Sequence, residues 1–452
     1  MLKSISSPQL KSISAPNLQK CDRQVLKNYF ENSWSLEEML LKSLVSEELF
    51  YLNPDPLRNC LIFYLGHSAV FYINKLIQVG LLEKPINPGY EILFEIGVDP
   101  ETTAELETEI RDISWPQVAD VWQYRDQAKE AILAVINSAP LNLPLHQNHP
   151  FWALMMGIEH SRIHFETSSM LIRQLTVEKV QRPESWQYAP SQGKIPSNKM
   201  IRVTGGIAKL GKREDADTYG WDSEYGEETV AVKPFLASKY LITNGEFLEF
   251  VEDHGYDNRD FWDDQSWTWK REYNVQHPKF WLLSNNGYKY RAMFDELDLP
   301  LDWPVEVNHH EAMAYCRWKG KDVRLMTEAE WNLATANSEK ATDYNLNLKY
   351  GSPSPVGMLD NAASSCGLSD LRGNVWELLS DNFHPLPGFK PHPLYEDYSA
   401  PFFDTQHNIM LGGAWSSTGT YASASCRNWF RRNFYQHAGF RIAQDTNELS
   451  GI

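Results

Sequence analysis

Cysteine is scarce in this chain: Cys21, Cys60, Cys316, Cys366 and Cys426 are the five among 452 residues, and none forms a CxxC pair. That excludes a structural zinc site built on thiolates and fits a reducing compartment, so a cytoplasmic location is expected. Positive charge is also short, with 42 Lys and Arg against 59 Asp and Glu. A net charge of −17 excludes nucleic acid or an anionic membrane as the main partner. No apolar run reaches the roughly 20 residues of a membrane span, because His67, Asn74 or charged residues interrupt the longest candidates. No Gly-rich nucleotide motif follows a strand pattern. Aromatic residues, in contrast, are abundant: 16 Trp, 21 Tyr and 20 Phe, beside 25 Gly and 25 Pro. Such a mixture implies a loop-heavy fold whose core is built from large rings.

The length allows two or three domains, each with a core of its own. Residues 1–22 repeat LKSIS at 2–6 and 10–14, are rich in Ser and Pro, and read as a disordered leader. Residues 23–180 carry helical periodicity and read as a four-helix bundle. Its helices fall at about 24–49, 57–79 and 116–138, with a fourth beginning near Pro150. A polar, Pro-containing linker covers 181–198, after which the texture changes. From 199 to 447 short apolar runs alternate with Gly, Asn, Asp and Trp clusters, and only 244–252 and 306–318 keep a helical period. The expected fold class is therefore α+β, a helical bundle followed by an irregular, loop-rich domain.

Two histidines, His160 and His164, stand four apart in HPFWALMMGIEHSRIHFETSSMLIRQL, so on a helix they share a face and reach one metal ion. This is not the zinc-protease signature, because Ser161 stands where that motif carries glutamate. A third histidine, His67, lies in LIFYLGHSAVFYINKL on one helical stripe with Phe63, Val70, Phe71 and Asn74. Three neutral nitrogen ligands on two helices leave coordination positions open, as a redox metal site requires. Histidines hydrogen-bonded at the edge of a core are the plainer alternative, which these three residues alone leave open.

Further motifs carry a family resemblance. Gly205-Gly206 with Leu210-Gly211, Ala237-Ser238-Lys239-Tyr240-Leu241-Ile242-Thr243-Asn244 and Trp303-Pro304-Val305 come first. Arg324-Leu325-Met326-Thr327-Glu328-Ala329-Glu330-Trp331 and Gly373-Asn374-Val375-Trp376-Glu377 follow, then Gly412-Gly413-Ala414-Trp415 and Ala438-Gly439-Phe440-Arg441. In this order they resemble the formylglycine-generating-enzyme (sulfatase-modifying-factor, C-type-lectin-like) fold. The first half resembles the DinB-like bundle joined to that fold in iron-dependent sulfoxide synthases. DPLRNCLIFYLGHSAVFYINKL, MMGIEHSRIHFETSSMLIRQL, YGWDSEYGE, PHPLYEDYSAPFFD and FYQHAGFR resemble the ovothiol branch of that group, the 5-histidylcysteine sulfoxide synthases, across residues 23–447.

The resemblance implies iron(II) held by His67, His160 and His164, with cysteine, histidine and O2 as substrates and a sulfoxide as product. It implies Tyr395 as proton donor, with Tyr398 the second choice, and Asn428 and Trp429 in a substrate-lining stretch. Phe430 stands where the ergothioneine branch has aspartate, and apolar Ile163 where that branch offers a polar contact to its acceptor. Arg431, Arg432 and Arg58 are the candidate carboxylate anchors, since a guanidinium fork matches a carboxylate. No methyltransferase motif follows residue 447, so methylation is expected to fall to a separate protein. Only Cys426 lies where the formylglycine enzyme has a copper-binding cysteine pair. An ergothioneine-branch enzyme acting on trimethylhistidine and a non-catalytic ligand-binding module are the alternatives.

Overall fold

The computed structural model describes residues 11–95, 97, 105–106, 113–336 and 343–446. Four long helices form the first half: α1 (Arg23–Leu41), α2 (Leu61–Gln78), α4 (Val118–Ser138) and α5 (Phe151–Arg173), with a short α3 (Pro88–Leu93) between the second and third. Asp22 caps α1 by accepting from the amide of Val25, and Asn87 with Pro88 starts α3. Helix α2 is buried on nearly every side because it packs against α4 and α5, while its Tyr72 ring meets Phe30 and Trp34 of α1. Arg125 of α4, wholly buried, joins these elements: its guanidinium donates to Glu37 of α1 at 2.9 Å and to the carbonyl of Leu65 at 2.8 Å.

The first helix stops at Leu41, well short of the expected residue 49. Tertiary pairing overrides the local preference there. The Val45 amide bonds to the Lys179 carbonyl at 3.2 Å and the Gln181 amide to the Ser43 carbonyl at 2.7 Å, drawing the chain into a bridge with the segment after α5. The leader reading needs correction too. Residues 11–22 pack on the protein, with Leu18 and Cys21 buried and the Leu18 amide bonded to the Asp217 carbonyl at 2.7 Å. The first LKSIS copy lies outside the described residues.

The second half is a mixed, loop-rich domain. One sheet has the order β1-β4-β13-β8, from Met200–Val203, Phe235–Ser238, Ala443–Asp445 and Val323–Arg324, and is antiparallel throughout. A second four-stranded sheet has the order β11-β10-β9-β12, from Asn428–Arg431, His407–Leu411, Trp376–Asn382 and Ala438–Gly439, with β12 parallel to β9. Two smaller antiparallel sheets are β2-β3 (Gly206–Leu210, Glu228–Val232) and β5-β6-β7 (Trp281–Ser284, Gly287–Arg291, Glu296–Asp298). Helices α6 (Asn244–Glu252), α8 (His309–Lys319) and α9 (Glu328–Thr335) each open with a capping box, Thr243/Glu246, Asn308/Glu311 and Thr327/Glu330, and α7 (Asp264–Glu272) is capped by Asp263. The Asn308 box explains why α8 begins at 309 and not at 306. Segment 181–198 lies along this domain, with Trp186 Nε1 donating to the Gly351 carbonyl and Ser191 Oγ to Asp302.

The two halves share a core: Tyr219, Trp221, Phe294 and Trp415 of the second pack into the same cluster as α1, α2 and α5. A polar ladder on α5 locks the halves together. Glu159 accepts from Tyr29 and from the Thr420 amide. Glu166 accepts from Trp376 Nε1 at 2.6 Å, Ser416 at 2.9 Å and Ser417 at 2.6 Å. Arg173 donates to Glu306 at 2.7 Å and to the Arg291 carbonyl at 2.7 Å. Seven-residue spacing keeps all three on one face, about 100–180° around the helix from His160 and His164. One face of α5 thus binds the second domain while another presents imidazoles to α2.

Candidate metal centre

His67, His160 and His164 converge: one ring nitrogen from each lies within 4.8 Å of the others. The His160 and His164 Nε2 atoms are 3.2 Å apart. The His67 ring lies 4.9 Å from that of His160 and 4.5 Å from that of His164, centroid to centroid. His67 and His160 are buried, and His164 is half-buried. His67 Nδ1 lies 2.6 Å from the Phe94 carbonyl, which makes Nδ1 the donor and leaves Nε2 with its lone pair free to bind a metal.

Aromatic stacking fixes two of the rings. The His67 ring stacks on Phe63 at 4.7 Å, and His160 lies flat on Phe71 at 3.6 Å and 7°. Gly66 makes room for the Phe94 ring, since a Cβ there would sit 2.6 Å from it. At Gly157 a Cβ would stand 2.3 Å from Tyr72, so this glycine lets α5 approach α2 closely. Burial lowers all three imidazole pKa values, that of His67 to about 4, with mutual repulsion adding to the effect at His160 and His164. The rings are therefore neutral near pH 7, the form that binds metal. Neutral imidazoles suit iron as well as zinc, copper or nickel, so the donor set fits an iron(II) ion.

Tyr395 joins this centre from the second domain. Its ring lies 5.2 Å from Phe71 and 6.3 Å from His160. Burial, then Asp397 and Asp222, push its phenol pKa above the usual value. Tyr398 is 5.4 Å further on, stacked on Trp221 at 4.1 Å and 20° and edge-on to Trp429 at 5.2 Å. Trp429 itself lies flat on Phe383 at 4.1 Å, and neighbouring Asn428 is buried with an unpartnered Nδ2. His160, Tyr395, Tyr398 and Trp429 thus form a continuous line of rings from the metal helices to β11.

The arginines divide. Arg58 lies over Phe434 at 4.3 Å and Phe430 at 5.3 Å, its Nη2 is buried without a partner, and its charge helps to lower the His164 pKa. Phe434 also lines a cleft of about 370 Å³ with Asp55, Leu57, Trp269, His277 and Asn433. Arg432 is engaged elsewhere, donating to Asn408 at 2.7 Å and Asn382 at 3.1 Å, and its charge acts on His309 and His310. Arg431 donates to Gln406 at 2.5 Å at the end of β11. Sequence reading missed Phe94, whose backbone carbonyl carries no residue-type signal. It also missed Lys75, although Lys75 shares the helical stripe of His67 and Phe71.

Residues 187–446 match the family described as sulfatase-modifying factor enzyme 1-like domain, and the chain belongs to that family. Its relatives include a hercynine oxygenase of Mycolicibacterium thermoresistibile, 28% identical over 421 residues, or 87% of this chain and 89% of that protein. The hercynine oxygenase of Mycobacterium tuberculosis is 34% identical over 244 residues, 50% of this chain and 56% of that protein. Ergothioneine biosynthesis protein 1 of Neurospora crassa is 24% identical over 510 residues, 92% of this chain and 57% of that protein. The chain thus spans little more than half the length of the last two. Among the described residues no helix is long and apolar enough to cross a membrane.

Proposed function

We propose that this protein is an iron(II)- and O2-dependent sulfoxide synthase that joins cysteine to histidine, giving 5-histidylcysteine sulfoxide. The observation that carries this reading is the convergence of three neutral imidazoles, two buried and one half-buried, beside a half-buried tyrosine. The names of the relatives support an oxygenase. The reaction balances as a four-electron oxidation. Cysteine gives up its S–H and the imidazole ring its C–H, a C–S bond forms, one oxygen atom of O2 goes to sulfur, and the other leaves as water.

Iron(II), when bound by the three histidines, supplies O2 activation and favours the thiolate form of cysteine. Phe71 and Phe63 hold the ligand rings in place and line the centre with apolar surface. Arg58, with an unpartnered buried Nη2, binds the carboxylate of an amino-acid substrate, and the aromatic faces beneath the guanidinium keep it in one orientation. Tyr395 holds its proton at neutral pH and donates it at the centre. Asn428 and Trp429 line the far side of the ring path.

A second reading keeps the same centre and changes the acceptor to hercynine, the Nα-trimethylated form of histidine. The full-length likeness to the M. thermoresistibile enzyme favours it. Phe430 and Ile163, apolar where the resemblance to the ergothioneine branch implies an aspartate and a polar contact, favour plain histidine. A competition assay decides between them. Iron-loaded protein is given cysteine, O2 and equal histidine and hercynine, and products are identified by mass. The histidine adduct is expected to dominate; a hercynine adduct moves the chain to the second reading, and no C–S product from either removes both.

A further inference from the structure

Tyr395 belongs to the second domain, on the stretch 391–399, whereas the three histidines belong to the bundle. The distance from phenol to metal ligands therefore depends on how that stretch is held against α2. Its ends have their own anchors. The His392 ring lies 6.3 Å from Trp152 at 15°, and its Nε2 faces the Gln147 carbonyl at 3.2 Å. Ser399 Oγ donates to Asp222 at 2.7 Å.

The middle is held from α2. Lys75 Nζ donates to the Leu394 carbonyl, and Gln78 Nε2 reaches the Pro393 carbonyl at 3.4 Å. Lys75 lies about two turns beyond His67, on the stripe that carries Phe71. Its ammonium stands 5.2 Å from the Phe71 ring centroid and 4.9 Å from that of Tyr395. One side chain thus touches the backbone beside Tyr395, the face of its ring, and the aromatic plate beneath His160.

We propose that Lys75 is a positioning residue that holds Tyr395 in register with the metal-binding helices. The proposal rests on the reading of Tyr395 as the proton donor. Two physical effects act together. The bond to Leu394 fixes the backbone next to Tyr395, and displacement of a reacting group by about 1 Å is enough to cost two orders of magnitude in rate. A cation against a ring face is attracted to the neutral ring and opposes loss of an electron from it. Lys75 thereby favours a phenol that yields its proton over a ring that yields an electron.

The test uses full-length Lys75→Met and Lys75→Arg, each alone and combined with Tyr395→Phe. The first readout needs no metal: hydrogen exchange of the metal-free protein over 390–400. The Tyr395 and Tyr398 amides, bonded to the His392 and Tyr395 carbonyls, are expected to exchange about tenfold faster in Lys75→Met. They keep their protection in Lys75→Arg, and α2 and α5 are unchanged in both.

The second readout is the ratio of sulfoxide to cysteine sulfinate made by the iron-loaded protein. Lys75→Met is expected to lower it by about fivefold or more. Lys75→Arg restores most of it, and Lys75→Met adds nothing in the Tyr395→Phe background. A merely structural role changes thermal stability and total turnover without making the ratio depend on the phenol. Unchanged exchange in Lys75→Met, or an equal shift with and without the phenol, overturns the proposal. If the wild type makes no sulfoxide, the functional reading falls, and the exchange result alone decides whether Lys75 holds the loop.

Discussion

Nε2 of His160 and Nε2 of His164 lie 3.2 Å apart, both on α5 and both turned toward His67 on α2. Two metal–nitrogen bonds of about 2.1 Å at a right angle place their nitrogens about 3.0 Å apart, so the pair is already spaced for one ion. Removing any one of the three histidines should therefore remove the site. Each alanine variant is expected to lose cobalt(II) affinity by about 100-fold or more in a spectroscopic titration, with thermal unfolding still cooperative. A His67→Ala protein that binds cobalt as the wild type does sinks the assignment.

Gly66 offers a subtler probe of the same centre. Its missing side chain admits the Phe94 ring, and the Phe94 carbonyl fixes His67 Nδ1 as a donor. Gly66→Ala displaces Phe94 and loosens the imidazole without touching a ligand. Loss of such an outer partner typically costs 10–100-fold in metal affinity, roughly, and overpacking costs about 1–3 kcal/mol of stability. Cobalt titration and thermal melts measure both. Unchanged affinity with lowered stability means that the Phe94 contact does not orient His67.

Arg58 is predicted to act on substrate binding. Arg58→Met keeps the contact with Phe434 and loses the charge, so KM for an amino-acid substrate is expected to rise about 10–100-fold with kcat little changed, as for uniform binding. Arg58→Lys keeps the charge without the fork and falls between the two. An Arg58→Met enzyme with unaltered KM for both amino acids removes this anchor.

Much of the centre was legible in the sequence. The helical spacing of His160 and His164, and the stripe shared by His67 and Phe71, are local properties that survive folding. The bundle helices and the helical period over 244–252 belong to the same class. What was not legible depended on partners far away in the chain. Lys179 and Gln181 stop α1 early, Asp217 and Leu145 order residues near Leu18, and the Phe94 carbonyl orients His67. Arg431 and Arg432 look equivalent to Arg58 in sequence, yet Asn408 and Asn382 engage Arg432 while Arg58 keeps a buried nitrogen unpartnered.

The ladder that joins the domains makes a prediction about acid stability. Burial alone raises the Glu306 pKa, but Arg173, then hydrogen bonds from His437 and Arg173, overcome it and bring the carboxyl from 4.5 to about 2. A depressed carboxylate stabilises the fold above its unfolded pKa and loses that contribution as pH falls through the folded value. The window is therefore between about pH 4.5 and pH 2. Glu306→Gln leaves Arg173 buried and unpaired, at a cost of about 3–5 kcal/mol near pH 7. Denaturant melts of wild type and variant should converge as pH drops through that window. Parallel curves contradict the pairing.

The last prediction separates Tyr395 from Tyr398. A thiolate exposed to oxidant at this centre has an easy competing fate, oxidation to the sulfinate, because sulfur accepts oxygen atoms readily. Forming a C–S bond instead requires a proton delivered at the right place and time, and geometry decides which group delivers it. Tyr395 lies 6.3 Å from His160 and touches Phe71, whereas Tyr398 is one ring further out, stacked on Trp221 and edge-on to Trp429. Both tyrosines are half-buried and both phenol pKa values are raised, so both hold their protons at neutral pH; position distinguishes them and acidity does not. Tyr395→Phe keeps the ring, and with it the contacts to Phe71 and Lys75, so fold and cobalt affinity should match the wild type. The sulfoxide-to-sulfinate ratio is expected to fall by about 10- to 100-fold, the scale of a lost proton donor. Tyr398→Phe is expected to leave the ratio near the wild-type value, since its ring still stacks on Trp221. The opposite pattern exchanges the two roles. If neither variant moves the ratio, the proton comes from another group, and the assignment of Tyr395 is wrong.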